Sequence, residues 1–116
     1  MQKIKSPTES ERLRRRRAEI GATLRYIEFQ QREVEENTEW LDEAARESRI
    51  ALLDRLTGWY LNELEEIDKA LGRVAENRYG ACLACQEPIE AERLESYPAA
   101  EFCFDCEEYR ERLKAG

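Results

Sequence analysis

"CLAC" at residues 82–85 and "CFDC" at residues 103–106 hold all four cysteines of the chain, which has no histidine. Seventeen residues separate Cys85 from Cys103. A two-residue spacer lets both sulfurs of a pair face one ion through a tight turn. The interval is long enough for a short hairpin that returns the second pair to the first. Four thiolates, from Cys82, Cys85, Cys103 and Cys106, suit one Zn²⁺ in a closed tetrahedral site. Such a site keeps no position for water, so the metal is expected to be structural. Iron also suits four sulfurs.

The residues around the cysteines agree. From Tyr79 to Tyr109 the large apolar side chains are few: Leu83, Ile89, Leu94, Tyr97, Phe102 and Phe104. A core that small rarely folds unaided, whereas structural zinc contributes ~10–16 kcal/mol of apparent binding free energy in small peptides. Two disulfides or a thioredoxin-type redox pair would use the same residues. The opening "MQKIKSPTES" lacks the apolar run of a secretory signal, and no strand-rich pattern surrounds either pair. A reducing, cytoplasmic setting is therefore expected, and there paired cysteines indicate metal.

Outside this segment the sequence reads as helix. Charged residues make up 39% of the 116 and apolar ones 41%, with only three prolines and five glycines. That balance suits long solvated helices better than a wide core. Leu13, Ile20, Ile27 and Val34 recur every seven residues, with Leu24 four after Ile20. They predict a helix over 8–36, opened by a capping box in which Thr8 and Glu11 bond each other's backbone. Leu53, Tyr60, Ile67 and Val74 repeat at seven over a second helix, 39–77, joined by Leu56, Leu64 and Leu71. Gly58 inside it should cost ~1 kcal/mol against alanine. Asn77 and Gly80 offer stops. The only polar break, "ENTEW" at 36–40, makes the two an antiparallel hairpin with arms of ~40 Å at 1.5 Å per residue. A short third helix is expected from "CFDCEEYRERLKAG".

The fold class expected is thus mainly α. A coiled-coil hairpin occupies 8–77, with its tip near 36–44. A four-cysteine finger with a C-terminal helix follows over 78–116. No apolar run approaches a membrane span. The tip sequence "NTEWLDEAAR" holds Glu39, Asp42 and Glu43, acids that would complement a helix dipole, with Asn37 or Thr38 as cap, or would present charge to a partner. Charge is uneven: residues 1–17 carry seven bases against two acids, and 35–47 carry six acids against one base. The net charge of −7 argues against general binding to a nucleic-acid backbone.

Three features together resemble the DksA/TraR family of bacterial zinc-finger proteins. They are the segment "YGACLACQEPIEAERLESYPAAEFCFDC" with Ile89, Arg93, Leu94 and Pro98, the hairpin before it, and "EWLDEA" at 39–44, where the family has Asp-x-x-Asp-x-Ala. The likeness covers about residues 8–116. It implies a non-enzymatic regulator of transcription initiation that binds bacterial RNA polymerase, its coiled coil in the secondary channel and its finger on the rim. It also implies that Asp42 and Ala44 are the main tip determinants, with Glu39 a variant one methylene longer. Larger members act with the alarmone ppGpp through basic residues, at positions matched here by Glu66, Tyr97 and Glu107. Acids repel a polyphosphate, so weak or absent ppGpp synergy is expected. A monomer with no direct specific DNA binding is expected. Two alternatives stand beside this reading: a nucleic-acid-binding finger using "RLRRRR" at 12–17, and a thiol redox sensor whose oxidised cysteines release metal.

Overall fold

A computed structural model of the chain describes residues 8–37 and 41–115. Among the described residues there are four helices: α1 (Glu9–Glu36), α2 (Glu43–Ala75), α3 (Ala91–Ser96) and α4 (Phe104–Ala115). The fold is the expected antiparallel helical hairpin followed by a four-cysteine module and a C-terminal helix. No described helix is long and apolar enough to cross a membrane.

Helix α1 begins where the capping box places it. The Thr8 hydroxyl accepts from the Glu11 N–H at 3.2 Å, and the Glu11 carboxylate accepts from the Thr8 N–H at 3.3 Å. Two N–H groups that the helix leaves without partners are thereby satisfied. The heptad positions Leu13, Ile20, Ile27 and Val34 are all buried, each at most 4% exposed. Charged residues fill the opposite face, so burial of this one stripe holds the helix in place.

Helix α2 starts at Glu43 rather than 39, and its cap is not Asn37. The Asp42 carboxylate accepts the Ala45 N–H at 2.7 Å, and the Asp42 carbonyl takes the Arg46 N–H at 2.9 Å. Asp42 is therefore the N-cap, holding an amide that has no partner within the helix. Thr38, Glu39 and Trp40 lie outside the described residues. At the far end Asn77 takes the left-handed conformation (φ 58°), the Arg78 N–H reaches the Arg73 carbonyl and the Asn77 N–H the Val74 carbonyl. This pair of bonds is the Schellman ending, with asparagine in the place glycine usually takes. It stops the helix at the expected point.

The chain divides into two compact units. In the unit Arg17–Glu65, α1 and α2 run antiparallel. Ile27 and Val34 pack with Leu53, flanked by Leu24, Ile50, Leu56 and Tyr60. The Arg49 guanidinium donates to the Gln30 side chain at 2.7 Å. The other unit comprises the start of α1 up to Arg16 and the chain from Glu66 on. It buries Leu13, Ile67 and Ala70 together with the residues around the cysteines. Arg73 is buried here too, with its guanidinium 3.9 Å from the Glu101 carboxylate. The heptad pattern did not indicate a charged residue at that depth.

Two glycines of α2 sit in helical backbone with open space where a Cβ would be: nothing lies within 4 Å at Gly58 or Gly72. Alanine there restricts the unfolded chain and meets no atom in the folded one. Gly58→Ala and Gly72→Ala are each expected to raise stability by about 0.5–1 kcal/mol, read as a higher urea midpoint at unchanged slope with the metal bound. A lowered midpoint would contradict the open environment at that position.

Candidate functional site

The segment after α2 folds as two cysteine turns tied to one another. At the first, the Cys82 N–H donates to the Glu87 carbonyl, the Gln86 N–H to the Cys82 carbonyl, and Ile89 to the Gly80 carbonyl at 2.7 Å. Gln86 adopts φ 67° and Gly80 φ 89°, left-handed conformations that turn the chain on either side of the cysteine pair. A single bridge pairs Ala81 with Pro88. The second turn precedes α4: Cys103 closes the first helical bond by accepting from Glu107, and Cys106 lies in the first turn. The Leu83 N–H donates to the Glu101 carbonyl at 2.9 Å and joins the two turns.

The interval between the pairs is not the expected hairpin. It holds α3, six residues of good helix formers that end where Tyr97 closes back on Arg93, just before Pro98. Side chains then fix it. Arg93 Nε donates to the Phe102 carbonyl at 2.9 Å, the Tyr79 hydroxyl to the Pro98 carbonyl at 2.7 Å, and the Tyr97 hydroxyl to Glu66 at 2.9 Å. The Glu90 carboxylate accepts the Phe104 N–H, capping α4 from a distance in sequence, and Arg110 lies over the Phe102 ring at 4.1 Å.

These bonds gather four sulfurs. All four Sγ atoms lie within 4.8 Å of one another, and Cys85 Sγ is 3.9 Å from Cys103 Sγ. A tetrahedron with Zn–S bonds of ~2.3 Å has edges of ~3.8 Å, so the cluster fits one zinc ion with a small contraction. Cys82 is 1% exposed and packs with Ile89 and Ala100, so the site shares the core of the module.

The thiols differ in how readily they ionise. Burial alone raises the Cys82 thiol, but the backbone N–H groups of Cys85, Cys103 and Ala84 oppose it and bring it from 9.0 down to about 6. Cys106 goes the other way: its thiol neighbours Cys103 and Cys82, with burial, push it up to about 12. One cluster whose members titrate so far apart holds a thiolate beside protonated thiols. A dication removes the conflict by taking all four as thiolates.

Asp42 and Ala44 belong to the unit Arg17–Glu65, where both are exposed at the start of α2. That Asp42 is also the helix cap escaped the sequence reading. The signal for it was present: an aspartate directly before the helix-forming run "EAARE".

One equivalent of zinc per chain is expected by metal analysis. Chelation, or Cys85→Ser, should unfold α3 and α4 while most of the ellipticity of α1 and α2 persists. Acid should also release the metal. The depressed Cys82 thiol contributes stability above its unfolded value near 9, and that contribution is lost as pH falls through about 6. Protons compete with the metal for the sulfurs, so zinc release measured with a chromogenic chelator should rise as pH falls into the acid range. Retention that does not change with acidification would show that these thiolates do not hold it.

Comparison with known proteins follows the same lines. The family described as "Prokaryotic dksA/traR C4-type zinc finger" matches residues 77–112. The chain is 34% identical over 79 residues to the RNA polymerase-binding transcription factor DksA of Escherichia coli K12, covering 66% of this chain and 52% of that protein. To the protein of the same name in Buchnera aphidicola it is 31% identical over 101 residues, 84% of this chain and 65% of the other. The chain thus spans between half and two thirds of the length of these curated relatives. Transcription factor DksA2 from Pseudomonas aeruginosa superposes with a TM-score of 0.75 at 30% identity, over 93% of this chain and 84% of that structure. On the cysteine module, the hairpin and these likenesses together, the chain belongs to the DksA/TraR family of C4-type zinc-finger proteins.

Proposed function

We propose that this protein regulates bacterial transcription initiation by binding RNA polymerase, with the connection between α1 and α2 entering the secondary channel and the zinc module resting on its rim. It performs no catalysis of its own. What supports the reading is the match to relatives named as RNA polymerase-binding transcription factors, together with the position of Asp42 and Ala44. Both are exposed where the chain enters α2. The Asp42 carboxylate donates nothing and accepts one N–H at 2.7 Å, so it keeps capacity for further donors or for a cation. Glu39 is proposed as the third tip residue.

Charge disfavours the reading as a nucleic-acid-binding finger. From residue 78 on there are nine acids against five bases, and a zinc ion bound by four thiolates adds two further negative charges. A phosphate backbone is repelled by such a surface.

Capping and charge are separable at residue 42, because asparagine caps a helix about as well as aspartate. Asp42→Asn is expected to hold stability within about 0.5 kcal/mol and to retain polymerase affinity. It should abolish the effect on open-complex lifetime. Asp42→Ala should lose the effect and, with the cap gone, about 1 kcal/mol of stability as well. Full activity of Asp42→Asn in a purified transcription assay would sink the proposed role of the tip.

Response to ppGpp is the second expectation. The family's basic positions are matched here by Glu66, Tyr97 and Glu107, and the Tyr97 hydroxyl is already bonded to Glu66. A polyphosphate meets carboxylates there instead of cations. Adding ppGpp should enhance repression by this chain little or not at all, where a full-length relative shows clear enhancement. Equal enhancement in the two would refute the assignment.

A further inference from the structure

Among residues 35–47 the single base is Arg46, against six acids. The structure does not leave its guanidinium among them. Arg46 Nε donates to the Val34 carbonyl at 3.3 Å, in a partly buried contact, while residues 42–45 around it are exposed. Val34 lies in the last turn of α1, whose final carbonyls have no partner within the helix. The Glu33 carbonyl is taken by the Asn37 N–H at 3.0 Å. The Val34 carbonyl is taken by Arg46.

The electrostatics of this helix end favour such a group. The last turn of α1 has no basic residue of its own and contains Glu33, Glu35 and Glu36 at the negative pole of the helix. Arg46 supplies from α2 the cation that α1 lacks. Its backbone N–H meanwhile bonds the Asp42 carbonyl, and the preceding N–H, of Ala45, bonds the Asp42 carboxylate. One residue thus holds the end of α1 through its side chain and the entry of α2 through its backbone.

We infer that Arg46 is the positioning residue of the tip: it clasps the Val34 carbonyl to the first turn of α2 and so fixes Asp42 and Ala44 against the end of α1. The inference rests on the proposed function, since the tip must act for its position to matter. It also accounts for the acidic character of the tip, because the only local base is directed inward to a carbonyl.

The test uses the full, zinc-loaded chain and purified bacterial RNA polymerase. Arg46→Met keeps the apolar stem and removes the guanidinium. Arg46→Lys keeps the charge as a compact ammonium without the planar guanidinium. Arg49→Met, one turn further along α2, removes the same charge away from the connection. Polymerase affinity is measured by competition, open-complex lifetime at saturating factor, and amide exchange at Ala45 and Asn37. Arg46→Met is expected to bind within about twofold of the parent and to lose about five- to tenfold of its effect at saturation, the worth of one hydrogen bond. Exchange at Ala45 should quicken. Arg46→Lys should recover part of the effect, and Arg49→Met should retain it. Arg46→Met with full effect at saturation, or a parallel loss in Arg49→Met, overturns the inference. If Asp42→Asn also stays fully active, the proposed function fails with it; if Asp42→Asn is inactive, only the role of Arg46 fails. Should Arg46→Met not fold, Arg46→Lys decides: a folded lysine variant with normal affinity and reduced effect upholds positioning, and one indistinguishable from the parent overturns it.

Discussion

Four sulfurs within 4.8 Å of one another are the constraint on which the cysteine module depends. Without a cation the cluster is frustrated: Cys82 favours a thiolate while Cys106 resists one. The apolar core around it, Cys82, Ile89 and Ala100 with Leu94, Tyr97 and Phe102 against them, is too small to hold two turns and two helices against their conformational entropy. Binding of an ion and folding of this segment are therefore one event. The polar ties do a different job. Arg93 to Phe102, Leu83 to Glu101 and Glu90 to Phe104 set which arrangement of the turns the ion stabilises.

The parts of the fold that follow from periodic burial were legible in the sequence. Leu13, Ile20, Ile27 and Val34 appear every seven residues and all four are buried, because a stripe of that period has only one way to leave water. The capping box at Thr8 was legible for a similar reason, since it is a local pattern satisfied by local bonds. The cysteine spacing carried the metal site, as both pairs are short-range and one ion demands that they meet. What escaped were features decided by tertiary context. Helix α3 is six residues long and has no buried residue, so it leaves no periodic signal. Arg73 is buried near Glu101, far along the chain. The start of α2 was misplaced because acids and small polar residues are crowded from 36 to 43, and several of them are competent caps. Asp42 wins that competition in the structure, and this turns the proposed tip determinant into a structural residue as well.

That double role bears on how the acids of the tip are to be read. Near the start of α2, Asp42 and Glu43 are accounted for by the helix dipole and by capping, each worth a fraction of a kcal/mol to about 1 kcal/mol. The same argument does not extend to the end of α1. Glu33, Glu35 and Glu36 stand at a negative pole, where carboxylates are unfavourable, and Arg46 offsets only part of this. Glu35 and Glu36 thus crowd the end of α1 at a cost to the free chain. Local stability explains the acids on one side of the connection and counts against those on the other. Departures from local consistency are expected at functional or strained sites. The helices thus account for the acids at the start of α2, while those at the end of α1 are the ones on which the proposed role of the connection bears.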